Sequence, residues 1–337
     1  MIERIKTLLP IEPPAFDFER RFADATTGKS FEDDFFDFDD KLRYWTTIYR
    51  YMLFLDFESG TQLMIGIGQK NISNYQLNKI PIEFAFDPPN YKVGLSYWYQ
   101  NEKTLHETRN DVLESYNDGF VSDTLLFKRK AGGYIFKLKE FDTEVSLTEK
   151  RNEDFLKFGN LMNPFQRHNA YFTFKGKVKG TESKGIAFIQ KVAINMPFIP
   201  WRWGRTFFED GSQLDFYEPR ALVPLFKSLN FKFDDEVYKF NKNVTIAVKG
   251  GVENPLWRLC GETDNGVTID WRIKSYARVC QIFETQRSRF LYNEYPSKIT
   301  FLKIKKGGEI LCTLDDLGRN ATNCEESYYS KILANIK

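Results

Sequence analysis

The sequence predicts an all-β chain: a long antiparallel meander of short strands, closed into barrels so that few edges stay unpaired. Three observations carry that expectation. Turn signals recur at short intervals, at Asp87-Pro88-Pro89-Asn90, Asn117-Asp118-Gly119, Gly132-Gly133, Asp210-Gly211, Asn265-Gly266 and Gly307-Gly308. The runs between them are aromatic and β-branched, and sustained helical periodicity is scarce. Aromatic residues make up 16% of the 337 residues (32 Phe, 17 Tyr and 6 Trp), which suits strands and wide apolar cavities.

The first strand is expected at 45–57 (WTTIYRYMLFLDF), apolar or aromatic on both faces. After the Glu58-Ser59-Gly60 turn a second is expected at 61–68 (TQLMIGIG). Others are expected at 91–99, 124–129, 134–141, 171–177, 185–194 and 213–217. The Asn265-Gly266 pair favours a two-residue type I′ hairpin turn. Behind it Val267, Ile269, Trp271 and Ile273 alternate with Thr268, Asp270, Arg272 and Lys274, one apolar face and one polar. Short helices are expected at 20–25, 222–229 and 325–336. The prolines of 219–229 (PRALVPLFKSL) suggest a boundary. The chain then divides into an N-terminal extension over 1–40, a larger domain over 41–220 and a smaller one over 221–337.

Charge and composition exclude several classes. With 48 Lys+Arg against 46 Asp+Glu the net charge is +2, so no nucleic-acid partner is expected, because phosphate binding needs a clustered basic excess. No apolar run approaches the ~20 residues of a membrane span. Residues 1–10 carry charges at Glu3, Arg4 and Lys6 and lack a signal peptide's apolar core, so a cytoplasmic address is expected; peripheral membrane contact of residues 1–9 stays open. Only two histidines are present, His106 and His168, and none of the cysteines Cys260, Cys280, Cys312 and Cys324 forms a CxxC. No metal site and no cofactor are expected, and the cysteines are expected as buried reduced thiols. His168 is expected in a loop before Tyr171. Oligomeric state is not legible.

Several motif-like stretches reduce to ordinary structure. Gly28-Lys29-Ser30 has Ala23 where a phosphate-binding loop needs its first glycine, and reads as a turn. Gly66-Ile67-Gly68 lacks the third glycine of a dinucleotide fingerprint and falls inside a strand. The run 30–40 (SFEDDFFDFDD) interleaves six carboxylates with four phenylalanines and holds no glycine for a calcium loop. It reads as an exposed segment pinned by its phenylalanines.

The most informative stretch is 185–219 (GIAFIQKVAINMPFIPWRWGRTFFEDGSQLDFYEP). Trp201 and Trp203 flank Arg202 and so share one face of a strand; Arg205 lies on that face, and Gly204 lets the backbone bend or approach a neighbour. A buried Arg205 needs a carboxylate, for which Glu218 is a candidate, or a ligand. The order Trp-x-Trp-Gly-Arg, short strand, Asp-Gly turn and returning strand resembles the central signature of the carotenoid hydratase (hydroxyneurosporene synthase) and AttH-type lipocalin-like family. An aromatic opening strand and turn at 44–60 and the late Tyr292-Asn293-Glu294-Tyr295 fit the same order. The resemblance implies two lipocalin-like, calycin-type β-barrels and a lipophilic, often isoprenoid-like ligand. The chain departs from hydratase-like members at 185–191, which holds neither His nor Asp, so the family's acid is missing from that place.

The expected function is binding of a hydrophobic small molecule, isoprenoid- or lipid-like, in the larger barrel or between the barrels. Gln190, Asn195 and Arg205 would orient a polar head; Tyr49, Tyr97, Tyr99, Trp201, Trp203 and Tyr217 would form walls. One alternative is an enzyme that hydrates, isomerises or cyclises such a ligand, with a buried Glu218 or Glu294 as acid. The other is a structural or interaction protein whose aromatic residues are only core.

Overall fold

Residues 47–56 carry apolar side chains on both faces because both faces of this strand are covered, one by the interior of a barrel and the other by a second sheet. The computed structural model describes residues 30–38, 47–70, 72, 74–158, 165–194, 200–220, 227–233, 236–286 and 288–332. Within them the fold is all-β apart from one short α-helix and two 3₁₀ turns.

Ten strands close an antiparallel barrel: β1 (Thr47–Asp56), β2 (Gln62–Lys70), β6 (Asn90–Gln100), β7 (Thr104–Tyr116), β8 (Gly119–Val121), β9 (Leu125–Lys130), β10 (Gly133–Leu138), β11 (Thr143–Phe158), β12 (Phe165–Val178) and β13 (Thr181–Ile194). The ring runs from β2 through β1 and β13 down to β6, and β6 pairs back onto β2. Three short strands, β3 (Tyr75–Leu77), β4 (Ile80–Ile82) and β5 (Ala85–Asp87), lie in the connection between β2 and β6; β5 extends the barrel sheet.

The second sheet follows the order β17 (Glu236–Phe240), β16 (Ser228–Phe233), β15 (Gln213–Pro219), β14 (Trp201–Phe208), β24 (Asn320–Ile332), β22 (Ser288–Lys306), β20 (Val267–Ser275), β19 (Leu256–Glu262) and β18 (Lys242–Lys249). β21 (Val279–Glu284) and β23 (Glu309–Thr313) pair with β22, and β21 also takes the β3–β4 hairpin from the first half of the chain. This sheet wraps its own core of Phe216, Phe231, Trp257, Trp271 and Tyr295.

The strand alternation places every side chain. On β1, Met52 and Phe54 point into the barrel core, while Tyr51, Leu53 and Leu55 join a separate cluster between barrel and second sheet. That outer cluster also takes Met64, Trp98, Tyr171 and Phe188 from the barrel, and Phe207, Val279, Phe290 and Tyr292 from the second sheet.

Several expectations are corrected. Residues 325–332, read as helical, are the end of β24, and Leu229 lies in β16; the apolar spacing that suggested helices is cross-strand packing. Residues 20–25 and 221–226 lie outside the described residues. β14 and β15 pair within the second sheet, so in chain order the first sheet ends with β13 and the second, apart from the β3–β4 hairpin, begins with β14. The Asn265-Gly266 hairpin is present, but its loop is Asp264–Gly266: Gly266 donates to Thr263 and alone takes a positive φ. That is the three-residue loop with a left-handed glycine, not a type I′ turn.

The acidic run 30–40 also departs from its reading. Residues 31–35 form helix α1 (Phe31–Phe35), with Ser30 as its N-cap accepting from the Asp33 amide. Phe31, Phe35, Phe36 and Phe38 are buried in the barrel core, against Phe120, Phe127, Tyr134, Phe172 and Tyr91. The segment fills the barrel interior instead of lying on the surface.

Candidate functional site

The face of β14 that carries Trp201, Trp203 and Arg205 meets the outer wall of the barrel, and a buried polar cluster forms there inside the aromatic interface. Gly204, on the opposite face, is obligatory: a Cβ would stand 2.3 Å from the Phe216 ring and 3.0 Å from Cys324 Sγ. Close packing of β14 onto the second-sheet core thereby turns Arg205 towards the barrel.

Arg205 is 2% exposed. Its guanidinium is sandwiched between the rings of Trp203 at 3.7 Å and Phe188 at 3.8 Å, which leaves only its in-plane edges for hydrogen bonding. Nη2 donates to Glu325 Oε1 at 2.8 Å. Nε and Nη1 are buried and find no acceptor among the described residues. Trp201 Nε1 donates to the other oxygen of Glu325 at 3.1 Å.

Glu294 stands directly opposite Glu325 on the paired strands β22 and β24. Its carboxyl receives the hydroxyl of Tyr51 at 3.3 Å and, in a short bond, that of Tyr292. Like charges at facing positions repel, and here both carboxyls are out of water. Burial first, and Glu325 second, hold the Glu294 carboxyl protonated well above the usual carboxylate range. Burial raises Glu325 as well, opposed by the Arg205 guanidinium. Arg205 pairs with Glu325 and not with Glu294, so of the two carboxyls Glu294 is the one that holds a proton more readily.

Tyr49 lies at the half-buried rim, its ring in a groove made by Gly66, where a Cβ would fall 1.9 Å from the Tyr49 hydroxyl. This gives Gly66 a packing role inside its strand. The Tyr49 hydroxyl donates to Gln281 Oε1 at 3.4 Å. Gln190 faces Tyr51 in the β1–β13 register and donates to Asn169 at 2.7 Å on the same outer wall. Tyr217 is paired opposite Trp203 and is half-buried.

The structure thus gathers Tyr49, Gln190, Trp201, Trp203, Arg205, Tyr217 and Glu294 on the inter-sheet side. Tyr97 and Tyr99 are on the other side of the barrel wall, in the core that α1 fills, packed edge-on to Phe141. The barrel interior that these two were expected to line as a pocket is therefore occupied. Glu218 shares the face of Arg202, not of Arg205, and pairs with Arg202 at 3.4 Å and Lys227 at 2.9 Å. The partner of Arg205 is Glu325 instead. Asn195 lies outside the described residues. His168 is inside strand β12 and fully buried, not in a loop. All four cysteines are free thiols; Cys312 and Cys324 are buried, Cys260 and Cys280 half-buried.

Sequence reasoning missed Glu325, Tyr51, Tyr292 and Phe188. Alternation carried a usable signal: Ala321, Asn323, Glu325, Ser327 and Tyr329 are one face of a strand, and the helical reading of 325–336 hid it.

No family model and no curated protein matches the sequence. Solved structures do resemble it. An AttH-like protein of Nitrosomonas europaea is 12% identical with a TM-score of 0.48, covering 90% of this chain and 98% of that one. CghA with Sch210972 is 7% identical with a TM-score of 0.42, over 86% of this chain and 90% of that one. Kievitone hydratase from Nectria haematococca is 9% identical with a TM-score of 0.37, over 85% and 89%. No helix among the described residues is long and apolar enough to cross a membrane.

Proposed function

We propose that the chain binds a hydrophobic, isoprenoid- or lipid-like small molecule between its two sheets, an oxygen function of that molecule resting on Arg205, and that Glu294 supplies a proton to it. The observation that carries this reading is the state of Arg205: a buried guanidinium, stacked between two rings, with two donor groups unanswered. Each buried unsatisfied donor costs about 1–3 kcal/mol, so an arrangement that keeps two is explained by an acceptor that arrives with a ligand. Trp201, Trp203 and Tyr49 offer apolar walls around that edge.

The carboxyl pair adds chemistry to binding. A protonated, buried Glu294 beside an ionised Glu325 is a donor ready to act near neutral pH, where an ordinary carboxyl has already lost its proton. Tyr51 and Tyr292 donate to Glu294 and would stabilise its carboxylate after transfer. Protonation of an alkene or carbonyl begins hydration, isomerisation and cyclisation alike.

The test is native mass spectrometry of the purified chain, with organic extraction of what it carries, on wild type and two variants. Arg205→Lys keeps a cation for Glu325 but removes the planar fork, and occupancy should drop at least about tenfold. Glu294→Gln should retain the ligand and lose any turnover. Equal, empty masses for all three proteins purified from the native host would leave the aromatic interface as packing only and overturn the reading.

A further inference from the structure

The barrel interior holds a second cluster of buried charge, and its partners come from the chain's own residues 30–38. Arg50 donates from Nε to the Phe35 carbonyl at 2.8 Å and from Nη2 to the Asp37 carbonyl, and its guanidinium lies 3.7 Å over the Phe38 ring. Lys191 Nζ reaches the Asp34 carbonyl at 2.6 Å and the Asp34 carboxylate at 3.1 Å. His168 faces the Asp34 carboxylate through Nδ1 at 3.1 Å and Glu153 on β11 through Nε2 at 2.9 Å. Three cationic side chains of the barrel wall thus converge on one short segment, which brings them a carboxylate, backbone carbonyls and four phenyl rings.

We infer that the interior of the ten-strand barrel is a binding site for an amphipathic carboxylate, and that residues 30–38 occupy it as a removable stand-in for that molecule. The stand-in reproduces the ligand's parts: Asp34 is the head, against Lys191 and His168, and Phe31, Phe35, Phe36 and Phe38 are the apolar body. Helix α1 is five residues long, far below the length at which a helix is stable by itself, so its order is lent by the barrel. A competitor that supplies its own carboxylate and its own apolar bulk replaces the same contacts while the β-ladder stays whole. Arg50 and Lys191, at opposite register positions on neighbouring β1 and β13, would serve either occupant.

Self-occupancy makes a quantitative statement: the apparent dissociation constant equals the intrinsic one divided by the fraction of molecules with the segment displaced. Loosening the segment must therefore tighten binding. The experiment titrates dodecanoate into the full chain by calorimetry and follows hydrogen–deuterium exchange of 31–38, where the Asp34 and Phe36 amides bond to Ser30 and Glu32. In wild type, saturation with dodecanoate should speed exchange of these amides at least tenfold while strands β1 and β13 remain protected. Asp34→Ala should bind dodecanoate at least tenfold more tightly than wild type, and Asp34→Ala/Lys191→Met should lose that gain. Binding that leaves 31–38 protected, or no binding by wild type and Asp34→Ala alike, overturns the inference. So does an Asp34→Ala variant that only melts earlier. The wild-type exchange experiment decides the question even if the variants fail to fold.

Discussion

One strand pair carries two kinds of buried charge. On their inner faces β1 and β13 hold Arg50 and Lys191, whose bonds to the 30–38 segment answer the charge with carbonyls and the Asp34 carboxylate. On the outer side, against Tyr51 and Phe188 of the same strands, Arg205 makes one ion pair, keeps two donors unanswered, and faces more carboxyl than it can neutralise. Inside, the three cations are answered by the carboxylates of Asp34 and Glu153 and by backbone carbonyls; outside, donors and carboxyls are left over. A matched buried cluster fixes a conformation, whereas an unmatched one stores a proton and an unfilled bond, which are what chemistry on a ligand uses. The contrast can be broken from either side.

The largest effect is expected at Arg205. Arg205→Met removes the cation that pairs with Glu325 and should destabilise the fold by about 3–5 kcal/mol at neutral pH, because a buried carboxylate is left without that partner. Acid should recover part of this loss, since protonating Glu325 removes the unpaired charge. Denaturant titrations at pH 5 and pH 8 read both. A loss that is the same at the two values would mean that Arg205 contributes packing and no charge pairing.

Next comes the pH profile of the plug. Both ring nitrogens of His168 face carboxylate oxygens, which can only accept, so the ring is held as the imidazolium and must donate on both sides. Burial lowers its pKa, but the bonds to Asp34 and Glu153 more than reverse this, and the net shift is upward. Stability from this contact is thus full below the ordinary histidine value of about 6.5 and is lost as pH rises through the folded value. Burial raises Asp34 and Glu153, but His168 together with Lys191 or Lys150 overrides it, taking Asp34 far down and Glu153 to about 2. Their contribution is full above about 4.5 and fades in acid. Exchange protection of 31–38, corrected for intrinsic rates, should therefore peak between about pH 4.5 and 6.5 and fall severalfold by pH 8. His168→Gln donates to one carboxylate only; it should cost about 1–3 kcal/mol and flatten the alkaline limb.

Glu294→Gln sharpens the outer half of the comparison. Because Glu294 is neutral in the folded chain but ionised in the unfolded chain at neutral pH, its amide isostere should match wild type to within about 1 kcal/mol only below about pH 4, and should be the more stable of the two at neutral pH. With its folded pKa raised, wild type loses stability as pH rises from about 4.3 towards the folded value, and the variant should not follow it. Parallel melting curves for both proteins up to pH 9 would place the proton elsewhere.

How much of this was legible follows from which interactions are local. Strand β20 was readable because Val267, Ile269, Trp271 and Ile273 show one buried face and one wet one. β1 was readable as a strand, yet its two covered faces were indistinguishable, so nothing separated inward Arg50 from outward Tyr51. Arg205 and Glu294 were nominated from residue type and neighbours, but Glu325 enters the site through a pairing 120 residues away, which no local pattern encodes. The phenylalanines of 30–40 read as pins of an exposed segment; that they lie instead inside a barrel, opposite His168, depends on a contact across 134 residues.

The smallest effect is expected at Glu218, and it tests the rule that singled out Glu294. Both glutamates were candidate acids by sequence, and both sit in strands next to aromatic residues. Glu218 differs in having two cations, Arg202 and Lys227, the latter well exposed to water. Screened pairs of this kind contribute about 0–1 kcal/mol. Glu218→Gln should therefore shift stability by less than about 1 kcal/mol, more at low salt than at high, and leave ligand occupancy and any turnover at wild-type level. If it abolished turnover while Glu294→Gln did not, proton donation would belong to the carboxylate paired with two cations. Unmatched burial would then not be what equips a carboxyl of this protein for chemistry.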